Sequence, residues 1–78
     1  MDGNLVPLIA LRPGQRGRVV TMNVGRGKAR RLMELGLLPG EVVEVVSNSV
    51  GPVVIRVRGM TLALGRNVAS RVWVEVIS

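Results

Sequence analysis

The stretch Leu32-Met33-Glu34-Leu35-Gly36-Leu37-Leu38-Pro39-Gly40 constrains this chain most, because it dictates how a helix stops and a strand begins. Gly36 fits the position just past a helix, where a left-handed residue closes the last turn at little cost. Leu37 then stands where a side chain folds back onto that turn. Pro39 presets the negative φ of a turn's second residue, and Gly40 supplies the positive φ that a type II turn needs next. Propensity, capping and turn chemistry agree, so the junction reads as a short helix feeding a strand.

The helix is expected over Lys28–Leu35, with Ala29, Leu32 and Met33 on the inner face and Arg30, Arg31 and Glu34 facing out. Two turns do not persist alone in water, so it must dock on something flat. The rest reads as strands. Leu5 to Leu11 is an apolar lead-in whose Pro7 argues against a central strand. Arg12-Pro13-Gly14-Gln15 is a turn, and Arg16 to Val24 a strand with Val20, Met22 and Val24 on one face and Val19 and Thr21 on the other. Asn23 to Gly27 is a loop. Glu41 to Asn48 is a second strand, whose run Val42-Val43-Glu44-Val45-Val46 breaks alternation and predicts a bulge or a bend buried on both faces.

Val53, Ile55 and Val57 alternate with Val54, Arg56 and Arg58 in a half-buried strand. Arg58-Gly59 reads as a tight hairpin turn, and Met60, Leu62 and Leu64 return along the inner face. Gly65 to Ser70 is a short helical turn that tucks in Val68 and Ala69. Val72, Val74 and Val76 form a last strand, with Trp73, Glu75 and Ile77 opposite. The sequences Leu11-Arg12-Pro13-Gly14 and Leu37-Leu38-Pro39-Gly40 are one turn device used twice, without an internal repeat around them. The expectation is a mainly β fold: a small SH3-like barrel of five strands, closed or nearly so, with one short helix inserted after the first.

With 78 residues the chain is expected to form one domain spanning 1–78. A domain of this size buries only about 60% of the surface its unfolded chain exposes. There is no cysteine and no histidine, which removes disulfides and thiolate or imidazole metal sites. The core must therefore be aliphatic, since Trp73 is the only aromatic residue. The longest apolar run, Leu5 to Leu11, contains Pro7 and is far shorter than the roughly 18 residues of a spanning helix. The start carries Asp2 and lacks the basic region of a secretory signal, so the expected location is the cytoplasm, with no membrane insertion.

Net charge is +6, and residues 1–36 carry most of it: seven cations against two acids. Such a half favours an acidic partner. The same composition excludes much chemistry. Neither the commonest general base nor a thiol nucleophile exists, and the carboxylates are scattered. Gly25-Arg26-Gly27-Lys28 resembles a phosphate loop only superficially, because Met22 and Ala29 stand where that loop requires a glycine and a serine or threonine. No cofactor and no metal site is expected, since ferrous sites recruit imidazole, thiolate or clustered carboxylates. One tryptophan cannot line a proline-peptide groove or a base-stacking platform. A basic nucleic-acid-binding barrel, making salt-sensitive phosphate contacts, is the alternative reading.

From Leu8 to Val76 the chain resembles the FeoA family. The resemblance rests on Leu11 with Pro13 and Gly14, Arg30-Arg31-Leu32, the junction Leu35 to Gly40, Gly51-Pro52, Leu62-Ala63-Leu64, and Ala69 with Val72 and Val74. These are mostly folding determinants. The resemblance implies an SH3-like barrel and a role in bacterial ferrous iron uptake: a cytosolic, non-catalytic accessory that docks on FeoB, a membrane transporter with a cytoplasmic G-protein domain, and modulates its nucleotide cycle or assembly. It also implies kinship with barrel domains fused to iron- and manganese-dependent repressors, and a free-standing relative of those is a further alternative. Weak self-association stays open. Two features are the candidate interface. One is the cluster Arg26, Lys28, Arg30 and Arg31 on the inserted helix and its preceding loop, where a solvated helix face is the plainer account and an arginine finger from Arg26 the boldest. The other is Trp73, which either anchors a partner or caps the barrel against Ile77 or the lead-in.

Overall fold

A computed structural model describes residues 5–78; Asp2, on which the reading of the chain start rested, lies outside them. The elements are β1 (Leu5–Pro7), a 3₁₀ turn (Leu8–Ala10), β2 (Arg16–Met22), α1 (Arg26–Glu34), β3 (Val42–Ser47), β4 (Val53–Val57), β5 (Met60–Leu64), α2 (Arg66–Ala69) and β6 (Val72–Val76). All strands join one antiparallel sheet in the order β1-β6-β2-β3-β4-β5, which curls around a single aliphatic core. The mainly β fold with an inserted helix is as expected, but the strand count is six. The lead-in supplies the extra strand: Leu5, Val6 and Pro7 pair with Glu75, Val74 and Trp73. Pro7 is tolerated there because β1 is an edge, where a missing N–H costs no ladder bond. The helix therefore follows the second strand.

The junction forms as its residues dictate. Leu35 caps α1, Gly36 follows with φ 104°, and the amides of Gly36 and Leu37 donate to the carbonyls of Met33 and Leu32 at 3.0 Å each. This is the full Schellman arrangement, with Leu37 and Leu32 both in the core. The Glu41 amide then closes the Pro39-Gly40 turn on the Leu38 carbonyl at 2.9 Å. The first Pro-Gly turn closes likewise, Gln15 donating to Arg12 at 3.0 Å. Each turn also grips the strand that the other one launches. Gly14 donates to Val45, which donates back to Gln15; Gly40 donates to Val19, which donates back to Glu41. Residues 11–19 and 37–45 are thus related by a local two-fold across the β2–β3 ribbon.

Three expectations about side-chain facing are corrected. In β2, Gly17 and Val19 point inward, the register shifts between Val19 and Thr21, and Met22 turns inward afterwards. That bulge flips the parity, so Val20 is 45% exposed rather than part of the core. In β3 the expected bulge exists, between Val45 and Ser47, but only Val43 and Val45 are buried while Val42 and Val46 are exposed. In α1 the helix starts two residues earlier than expected, and Met33 is 37% exposed because it sits on the flank of the Ala29–Leu32 stripe.

Far-apart segments are joined by Asn48. Its side-chain amide donates to the carbonyls of Ile9 and Leu11, at 2.8 and 2.7 Å, and its oxygen accepts from Arg66 at 3.1 Å. The 3₁₀ turn is thereby stapled to the end of β3 and to the start of α2. Among the described residues no helix is long and apolar enough to cross a membrane.

Candidate functional site

Helix α1 owes its start to Gly25, which sits at the N-cap with φ 86° and offers no side-chain cap. The first turn holds no acid; it holds Arg26 and Lys28 instead. Cations at this end oppose the helix dipole, by roughly 0.3–1 kcal/mol each when exposed. Only Leu32 of the helix is buried, with Ala29 half-buried beside it. Helical spacing then sets Arg26 and Arg30 on one outward stripe with Glu34, Arg31 next to them, and Lys28 on a flank. All four expected cations are exposed; Arg30 and Arg31 face out as expected, and Arg26, expected in the preceding loop, lies in the first turn of the helix.

Lys28 faces an open, mostly polar cleft of about 500 Å³, whose walls are the connection Asn23-Val24-Gly25 and the residues Asn67, Val68 and Arg71 around α2. The Asn23 amide donates to the Arg71 carbonyl at 2.9 Å and holds the walls together. Arg71, Asn23 and Asn67 were invisible as site residues in the sequence. They reach Lys28 only because β2 and β6 are neighbours, which no local pattern encodes. Trp73 does not line this cleft. It is half-buried on the outer face of β6, between its cross-strand partners Pro7 and Thr21. The lead-in thus flanks it, and the structure does not unite it with the helix cations in one cleft.

Three of the four described carboxylates stand beside arginines: Glu41 with Arg58 at 3.3 Å, Glu75 with Arg18 at 3.7 Å and Glu44 with Arg56 at 3.8 Å. These pairs are exposed and contribute at most about 1 kcal/mol each. Glu41 and Glu44 serve different arginines, so they form no acid–base couple. Among the described residues no group of three or more His, Cys, Asp or Glu side chains is arranged to hold a metal ion. The chemistry on offer is attraction of an anionic surface by α1 and Arg71.

A family model described as the FeoA domain matches residues 6–76. A protein of Methanocaldococcus jannaschii, provisionally named Fe(2+) transport protein A, is 32% identical over 91% of this chain and 87% of its own length. The crystal structure of an iron uptake regulatory protein, FeoA, superimposes with a TM-score of 0.86 at 35% identity, over 94% of this chain and 99% of that one. The zinc complex of Stenotrophomonas maltophilia FeoA, described as an SH3-domain protein, gives 0.76 at 31% identity, covering 87% of each chain. The fold also recurs within a manganese-dependent transcriptional repressor, at a TM-score of 0.82 and 21% identity, over 94% of this chain and 42% of the repressor.

Proposed function

Because this chain belongs to the FeoA family, we propose that it is a non-catalytic, cytosolic accessory of ferrous iron uptake that docks on the cytoplasmic G-protein domain of a FeoB-type membrane transporter and modulates it. The observation that supports docking most is α1. It exposes Arg26, Lys28, Arg30 and Arg31, buries one side chain, and places cations where they oppose its own dipole. An acidic partner face relieves that repulsion and draws the protein in. Regulation through contact also suits a chain whose carboxylates are mostly paired and which lacks cysteine and histidine.

Titration calorimetry of this protein into the isolated G domain, at low and moderate salt, tests the proposal. Saturable binding is expected. The double variant Arg30→Glu/Arg31→Glu is expected to bind at least about tenfold more weakly at low salt, with a smaller gap at moderate salt. Absence of binding to the G domain overturns the reading. If a single-stranded RNA binds instead, with steep salt dependence, function passes to nucleic-acid binding.

A further inference from the structure

We propose that the free edge of β5 is a strand-docking site, where an extended, acid-flanked segment of the partner protein adds a seventh strand to the sheet. This rests on the docking proposal above and names where the partner engages. The sheet order leaves two edges, β1 and β5. The β1 edge carries Pro7, a device that blunts an edge. The β5 edge, Met60-Thr61-Leu62-Ala63-Leu64, has no proline and no charge, and its pairing to β4 shows no bulge.

The hydrogen-bond parity of this edge follows from its turn. Arg58 and Gly59 have φ of 53° and 79°, the signature of a two-residue type I′ hairpin. Such a turn makes Val57 and Met60 a mutually hydrogen-bonded pair, and alternation extends this to Ile55 with Leu62 and Val53 with Leu64. The N–H and C=O groups of Thr61 and Ala63 therefore point away from β4. Among the described residues neither takes a backbone partner outside its hairpin.

Burial marks the same place. The inward residues of β4, Val53, Ile55 and Val57, are all buried. Along β5 the cover fails progressively: Leu64 is buried, Leu62 half-buried and Met60 46% exposed. Leu35 is also exposed where α1 ends, and Gly36 lies beside the Arg58 side chain, so the exposed apolar end of α1 adjoins the start of β5. A strand laid along β5 covers Met60 and Leu62 while satisfying Thr61 and Ala63.

Charge selects the occupant. Arg58, paired with Glu41 at 3.3 Å but with its side chain 58% exposed, precedes β5, and Arg66 follows it, in a chain of net charge +6. The Arg66 guanidinium is held by Asn48 and the carbonyls of Ser49 and Gly51, and meets no carboxylate among the described residues. A second copy, paired antiparallel about Leu62, sets Arg58 against Arg66 at both ends and is repelled. A segment with acids at its ends and uncharged residues between them is attracted.

Amide hydrogen exchange on the full chain, alone and with the FeoB-type G domain, decides this. The Thr61 and Ala63 amides are expected to exchange freely alone and to slow at least about tenfold in the complex. Ala63→Pro removes an outward N–H without touching a β4 bond, and is expected to weaken binding at least about tenfold while melting as a folded protein. Binding that leaves both amides unprotected, or that survives Ala63→Pro, overturns the edge site and leaves G-domain docking standing. No binding by the unaltered chain overturns the docking proposal, and the edge site with it. Protection that grows with protein concentration without the G domain assigns the edge to a second copy and overturns the acid-flanked occupant.

Discussion

Residues 11–19 and 37–45 are the same device in two settings. Both begin with a buried leucine, turn on Pro-Gly, and end on a buried valine beside a bulge. Their turn glycines have nearly equal φ, 92° for Gly14 and 96° for Gly40. The differences lie in what holds each one. Both units return the leading leucine amide to their own chain, Leu37 to Leu32 and Leu11 to Leu8 at 3.0 Å each, but only the second follows a full helix, α1. The first has only a 3₁₀ turn before it, and Asn48 must reach across from β3 to take the Ile9 and Leu11 carbonyls. One position also differs in size. Gly17 and Val43 are equivalent and directly paired, yet only Val43 has a side chain. A Cβ on Gly17 would lie 2.8 Å from a methyl carbon of Val74. Local code is shared, whereas support and space are set by neighbours distant in sequence.

Making the two units alike at that position is expected to have the largest effect. Gly17→Val should destabilise by about 3 kcal/mol or more, read from the urea midpoint, because it overpacks a core without room to yield. Val74→Ala in the same chain should restore part of that loss. If the two losses simply add, the clash with Val74 is not the cause.

Removing the long-range staple ranks second. Asn48→Ala should cost about 1–3 kcal/mol, since two partly buried carbonyls and Arg66 lose a partner. Hydrogen exchange should accelerate around Leu11, whose carbonyl Asn48 holds, and not at Leu37, whose amide bonds to Leu32 without it. Equal acceleration at both would erase the proposed difference in support.

The smallest effect tests the likeness itself. Gly14→Ala and Gly40→Ala should each cost about 1–2 kcal/mol through backbone strain alone, because a new methyl at either meets nothing within 4 Å. Thermal melts of the two variants should agree. A clear gap between them would mean that one turn is relaxed by its surroundings and the equivalence fails.

Much of the fold was legible because it is written in short-range steric rules. The Schellman close at Gly36, both Pro-Gly turns, the Arg58-Gly59 hairpin and the alternation of β4 and β6 each need only a few adjacent residues. Arg30 and Arg31 were legible as outward residues for the same reason, whereas Arg26, expected in the preceding loop, lies in the first turn of α1. Val20 was misplaced because a bulge reverses facing without leaving a compositional mark, and the decision belongs to the pairing of β2 with β6. Met33 was misplaced because periodicity defines a stripe but not how wide a neighbour covers it.

Amino-acid order alone determined the turns, the helix stop, the aliphatic core and the charge, because these follow from φ preferences, side-chain shape and composition. Tertiary structure decided which strands became edges, that Pro7 sits on one of them, that Asn48 staples the first turn, and that Arg71 joins Lys28 across a cleft. Each of these depends on residues brought together by sheet order. Sheet order is chosen by the burial of the whole core, a sum over the chain that no single window contains.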